Sequence, residues 1–115
     1  MEEVEVKRGE IYYAGLDPAI GSEQDGIRPV LIISNDMGNQ NSPTVIVASI
    51  TGQGKKLMPT HVPIKCDGFT RLSVVMMEQL RTIDKVRLLD YVGRLDAAQM
   101  RKVNKAFDLS VGRSG

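Results

Sequence analysis

The chain has 115 residues and a mass of 12.6 kDa, the common size of one domain and too little for two. Hydrophobic residues at 42% against 25% charged exclude a disordered chain; no apolar run approaches the ~20 residues of a membrane-spanning helix, and the mixed start MEEVEVKRGE does not read as a signal peptide. The net charge of +1 hides an uneven spread: residues 1–36 hold eight acids against three bases, and residues 51–105 eleven bases against five acids, which allows either a basic surface for a polyanion or ordinary solvated faces.

Residues 10–16, EIYYAGL, predict a first strand favoured by its two tyrosines, and Asp17-Pro18 ends it. Residues 17–28, DPAIGSEQDGIR, read as a loop long enough to suggest a function. Residues 29–34 are almost entirely apolar and predict a central strand, with Pro29 at its start, where an N–H is least missed. Residues 35–43, NDMGNQNSP, form a turn region with room for one short helical turn. Residues 44–50 are β-branched and predict a buried third strand. A flexible segment over 51–59 leads to a weakly alternating strand at 60–65. Cys66, Asp67 and Gly68 turn the chain into a strand at 73–79 that runs on towards Ile83.

Asp84 occupies the position of a helix N-cap before a short helical piece at 85–89, and residues 91–95 predict a last strand. The C-terminal helix carries the clearest signals. Asp96 and Gln99 form a capping-box pattern; Met100, Val103, Phe107 and, less regularly, Ala106 share a face; Gly112 ends the helix. Five or six strands, one convincing helix and no strand–helix–strand alternation predict an α+β fold, a strongly curved antiparallel sheet or small barrel with the helix over one face or end.

The side-chain inventory excludes much chemistry. His61 is the only histidine and Cys66 the only cysteine, so a catalytic histidine pair within one subunit, an intramolecular disulfide and a His/Cys zinc cluster are all out of reach. A lone cysteine fits a reducing, cytoplasmic setting. GQGKK at 52–56 lacks the spacing of a phosphate-binding loop, and no GxSxG elbow is present. RNA cleavage needs less apparatus, because the ribose 2′-OH is the nucleophile. A guanidinium beside a hydroxyl can orient and neutralise the phosphoryl group. Composition alone permits this chemistry without selecting it.

The blocks VKRGEIYYAGLDPAIGSEQDGIRPVLIISND (6–36), SPTVIVASIT (42–51), MPTHVPI (58–64) and MEQLRTIDKVRL (77–88) together resemble the MazF/PemK family of toxin endoribonucleases of type II toxin–antitoxin systems, most nearly those of Gram-positive bacteria. The likeness weakens beyond about residue 95, and GSEQ-x-G-x-RPV with EQ-x-RTIDK is its most specific part. It implies an SH3-like barrel in one domain over 1–115. It also implies a cytoplasmic homodimer that cuts single-stranded messenger RNA at short specific sequences without a metal or other cofactor, and a cognate antitoxin that blocks the RNA groove. The implied products are a 2′,3′-cyclic phosphate and a 5′-hydroxyl.

The family's catalytic arginine, in the RPV motif, falls on Arg28, and its catalytic hydroxyl residue, after the third strand, on Thr51. An arginine makes a poor general base because a guanidinium holds its proton too firmly, so electrostatic and general-acid roles suit it better. Thr51 would donate to a phosphoryl oxygen, or else cap a strand end. Glu23 and Gln24 belong to the same motif; Glu23 either supports catalysis through Arg28 or orders the loop. Gln79 and Arg81 in the third block read a base edge or hold backbone, and Glu78 partners an arginine. Lys55, Lys56, Pro59, Thr60 and His61 complete the RNA-binding expectation, His61 in structure or RNA contact rather than in essential catalysis. The loops at 17–27 and 52–59 are expected to shape sequence preference. The alternative is a small-barrel toxin or binding module that acts on a protein target without nuclease activity. Having both Arg28 and Thr51 favours the nuclease.

Overall fold

The computed structural model describes residues 5–16, 26–52, 57–66, 68–69 and 72–112. Among these residues six strands form one antiparallel sheet: β1 (Glu10–Gly15), β2 (Ile27–Ile32), β3 (Thr44–Gly52), β4 (His61–Ile64), β5 (Ser73–Asp84) and β6 (Leu88–Arg94), in the spatial order β4-β5-β3-β2-β1-β6. Among the described residues two α-helices accompany the sheet, α1 (Asp36–Asn41) and α2 (Ala97–Ser110).

Strand alternation divides the apolar residues between two clusters. Ile11, Leu31, Ala48, Ile50, Val62, Ile64, Val75 and Met77 point to one face, where Val103 and Ala106 of α2 cover them. Tyr12, Ala14, Val30, Ile32, Val45, Val47 and Ile83 point to the other, beneath Val6. The helix is fixed as its sequence predicts. Asp96 Oδ1 accepts the Gln99 N–H at 2.8 Å, and Gln99 Oε1 accepts the Asp96 N–H at 3.3 Å. Met100 and Phe107 pack at the rim of the cluster. Gly112, at φ +82°, follows the helix end in a conformation that glycine adopts without a Cβ penalty. Arg8 ties the helix to the sheet: its Nε donates to Ile33 O at 2.9 Å and its Nη2 to Asn104 Oδ1 at 2.7 Å.

No β4–β6 pairing joins the ends of the sheet among the described residues, yet the two ends touch. A Cβ placed on Gly68 would lie 2.5 Å from Val92 Cγ1 and 2.7 Å from the Val92 carbonyl oxygen, and one on Gly93 would lie 2.5 Å from Cys66 Sγ. Both positions therefore accept only glycine without a shift. Cys66, Phe69 and Val92 all pack on the α2-covered cluster. The barrel-like curve is thus closed by contact rather than by a hydrogen-bonded ladder, in agreement with the expected α+β fold.

Several boundaries differ from the sequence reading. Strand β2 begins at Ile27, so Pro29 lies inside it and Arg28 belongs to a strand rather than to a loop. The β3 strand continues through Thr51 and Gly52 because both pair with β5, opposite Val74 and Ser73. The polar stretch after β2 makes a six-residue helix, capped by Asn35 Oδ1, which accepts the Gly38 N–H at 2.7 Å. Asp84 makes no side-chain cap; only the 3₁₀ turn Lys85–Arg87 follows, and β6 starts at Leu88, recruited by pairing with Ala14.

Candidate active site

The site begins with a break in strand pairing. Strands β2 and β3 face each other at Ile32–Val47, Leu31–Ala48 and Val30–Ser49, and no further. Pro29 comes next, with no N–H to offer either neighbour. Yet β2 stays paired to β1 through Tyr13–Pro29, Ala14–Arg28 and Gly15–Ile27, while β3 stays paired to β5 through Gly52. The two strands therefore separate while each remains held on its outer side.

A cleft of ≈ 360 Å³ occupies the separation. Tyr13, Ile27 and Pro29 border it from the β1–β2 side, and Ile50, Gly52, Phe69 and Ser73 from the other. Arg28 and Thr51 border it too. Each is two residues beyond the Val30–Ser49 pair, so by strand alternation both project from the same sheet face. Arg28 is exposed and Thr51 half-buried. Arg81, exposed and facing Val47, is on that face as well, since facing residues of an antiparallel pair share a side.

The other expected contact residues fall elsewhere. Between the Ala48–Leu80 and Ser49–Met76 pairs, Met77, Glu78 and Gln79 have no counterpart on β3. This bulge swings β5 towards the turn before β4, where the Met77 N–H donates to Thr60 O at 3.0 Å. The Thr60 hydroxyl donates to Glu78 Oε1 at 2.8 Å, and His61 Nε2 lies 3.1 Å from Glu78 Oε2. His61 Nδ1 accepts the Met58 N–H at 3.1 Å, which places the ring proton on Nε2, donating to Glu78. Burial pushes the Glu78 carboxyl up, but hydrogen bonds from Thr60, from its own backbone N–H and from His61 outweigh it, and the group sits below its ordinary 4.5. Glu78 thus partners Thr60 and His61 rather than an arginine in these contacts, because the bulge aims it at the β4 turn.

Pro59 and His61 border a second hollow of ≈ 350 Å³ against Lys102, Lys105 and Leu109 of α2, not the Arg28 cleft. Gln79 is exposed in the bulge. Glu23, Gln24, Lys55 and Lys56 lie outside the described residues. Among the described residues, no three His, Cys, Asp or Glu side chains gather as metal ligands, and no helix is long and apolar enough to cross a membrane. Tyr13 and Phe69 escaped the sequence reading as site residues. Tyr13 read as strand and Phe69 fell between elements, and only the separation of β2 from β3 makes them neighbours of Arg28.

Known proteins are similar to this one in sequence and in fold. Endoribonuclease EndoA of Bacillus subtilis (strain 168) is 55% identical over 109 residues, covering 92% of this chain and 94% of that protein. Endoribonuclease MazF of Staphylococcus saprophyticus is 50% identical over 110 residues, covering 93% of this chain and 92% of its own length. A solved mycobacterial endoribonuclease in complex with its cognate antitoxin superposes with a TM-score of 0.78 at 27% identity, over 96% of this chain and 98% of that one. The family model described as "PemK-like, MazF-like toxin of type II toxin-antitoxin system" matches residues 7–111. With that match over most of the chain, and relatives about half identical along nearly all of it, the protein belongs to the PemK-like, MazF-like family of type II toxins.

Proposed function

We propose that the protein is a toxin endoribonuclease that cuts single-stranded RNA at short specific sequences, with Arg28 and Thr51 as its catalytic side chains. The observation that carries this reading is their placement: a guanidinium and a hydroxyl on one sheet face, at one cleft, on strands each anchored by an outer neighbour. A phosphodiester at the cleft meets a fork of charged donors and a neutral donor together, the arrangement that lowers the energy of a crowded, charged phosphoryl transition state. The substrate 2′-oxygen bonds to phosphorus as its proton passes to solvent, the bond from phosphorus to the 5′-oxygen breaks, and one proton reaches the departing oxygen, so the step is proton-neutral overall. Arg28 neutralises the phosphoryl oxygens and takes part in delivering that proton, and Thr51 donates a hydrogen bond to one of them.

Arg81 extends the cationic face along β5 and contacts RNA phosphate. Thr60 and His61, locked to Glu78, order the turn before β4. On the family motif alone, Glu23 and Gln24 support Arg28, and Lys55, Lys56, Pro59 and Gln79 contact RNA. The protein works in the cytoplasm as a homodimer built from one domain per chain. An antitoxin, of the kind bound in the mycobacterial complex, covers the RNA-binding face.

The deciding experiment incubates the purified protein with a long single-stranded RNA in EDTA and analyses the fragment ends. Cleavage with 2′,3′-cyclic phosphate and 5′-hydroxyl ends is expected. Loss of cutting in EDTA, or cutting of an all-deoxy strand, overturns the reading.

A further inference from the structure

The Arg28 cleft has more to it than a phosphate site requires. It passes between the separated strands: Arg28 and Thr51 border it from one sheet face, and Tyr13, which faces Pro29, from the other, where Phe69 also packs and Ser73 adds a hydroxyl. A nucleotide is divided in the same way, into a charged phosphate and a flat base with apolar faces. At ≈ 360 Å³ the cleft is near the lower end of the about 300–1,000 Å³ of small-molecule sites, a size for one base rather than a run of stacked bases. Resting on the endoribonuclease reading above, we propose that the cleft receives one unpaired nucleobase next to the scissile phosphate and stacks it on Tyr13 and Phe69. These two side chains then hold that nucleotide in place for cleavage, whichever base it carries, since every base offers a stacking face.

Both residues have backbone supports. Tyr13 is on β1, directly opposite Pro29, so its backbone is fixed by the ladder that also carries Arg28. Phe69 follows the turn that closes the barrel; its N–H donates to Cys66 O at 2.9 Å, and it packs on the α2-covered cluster. Side chains on a supported backbone lose less freedom on binding than those on a free segment. Single-stranded RNA is read in this manner, with splayed bases stacked on aromatic side chains while their edges take hydrogen bonds. The strand edges that stop pairing with each other after Val30–Ser49 border the same space. Stacking there would also fix the ribose and phosphate of the same nucleotide relative to Arg28.

The test uses RNA and not only variants. Sequencing of fragments from a long RNA first defines the cleaved site. Short RNAs carrying that site are then made with an abasic ribose on the 5′ or the 3′ side of the scissile phosphate, and cleaved by the wild type, Tyr13→Ala, Tyr13→Phe and Phe69→Leu. One abasic position is expected to lower kcat/KM by between about 5-fold and about 150-fold, the range for removing one base–aromatic stack. Tyr13→Ala should lose a similar factor on intact RNA and little more on that abasic RNA, while Tyr13→Phe stays near wild type. A normal rate on both abasic RNAs overturns the proposal while leaving the nuclease reading intact. So do losses from base and ring that multiply independently. Failure of the wild type to cut any RNA overturns the nuclease reading itself. The abasic arm on wild-type protein decides the matter even if a variant fails to fold.

Discussion

Arg28 and Thr51 are each two residues past Val30–Ser49, the last facing pair of β2 and β3, and both border the cleft that opens there. The pair is therefore placed by strand register rather than by a flexible loop, and substitutions at either position can remove the side chain without removing the support. Arg28→Ala is expected to abolish cleavage with the fold intact. Arg28→Lys should retain more RNA affinity than Ala but little turnover, because a point charge replaces the planar fork. Thr51→Ala should lower turnover by about 100- to 1,000-fold, the usual loss for one well-aimed transition-state donor. Single-turnover cleavage beside circular dichroism checks this; wild-type rates in either alanine variant would refute the assignment.

Arg81, on the same face as Arg28 but outside the cleft lining, should act on affinity alone. Arg81→Ala is expected to weaken RNA binding across all sequences and to reduce the slope of log affinity against log salt by about 0.7, the value for one phosphate contact on a single strand. Titrations of a non-cleavable RNA at several salt concentrations measure it. An unchanged slope would place Arg81 off the RNA path.

The Glu78 carboxyl sits below its ordinary 4.5 in the folded protein. A depressed folded value means that its contribution to stability is fully present above the unfolded value and is lost as pH falls through the folded one. Urea midpoints taken downward from pH 6 should show this loss in the wild type, and a weaker one in Glu78→Gln. The variant should also loosen the Thr60–His61 turn. Identical acid profiles for the two proteins would count against the network.

Gly68 and Gly52 make a matched pair of tests. A Cβ at Gly68 meets the Val92 carbonyl oxygen at 2.7 Å, whereas one at Gly52 meets nothing within 4 Å. Gly68→Ala should cost about 1–3 kcal/mol, the range for forced overpacking, and Gly52→Ala should be nearly neutral or slightly stabilising. Equal unfolding midpoints for the two variants would show that the contact closing the barrel yields easily.

Asp96 and Asp84 both read as caps in the sequence, Asp96 with a capping box and Asp84 before a short helical piece only. Of the two, Asp96 alone caps a helix through its side chain. Asp96→Ala is expected to cost about 1 kcal/mol, and Asp84→Ala much less. Denaturant titration distinguishes them; equal losses would mean that the capping box carries no net stabilisation.

That contrast shows what could be read from sequence. Asp96 and Gln99 act over three residues, and local spacing suffices to find them. The apolar runs leading to Ile32 and from Val45 to Ile50 likewise declare themselves as strands. The family motif singled out Arg28 and Thr51 but said nothing of the cleft that both border. Its cause is non-local: Pro29 ends the facing of two strands that are each retained by a different neighbour. Tyr13, more than fifty residues from Phe69, could not be linked to it by any periodicity. The β5 bulge at Met77, Glu78 and Gln79 was hidden for a similar reason, since only its partner strand reveals that those residues are surplus.

The contact between Cys66–Gly68 and Val92–Gly93 has a kinetic consequence. Because no ladder crosses from β4 to β6 among the described residues, the barrel can breathe there without breaking a backbone hydrogen bond between those strands. Excursions of this kind are the least costly openings available to a small sheet, and here they begin at its two margins. The strands β1, β2, β3 and β5 are each paired on both sides, so an opening at the margins would leave the register of Arg28 and Thr51 untouched.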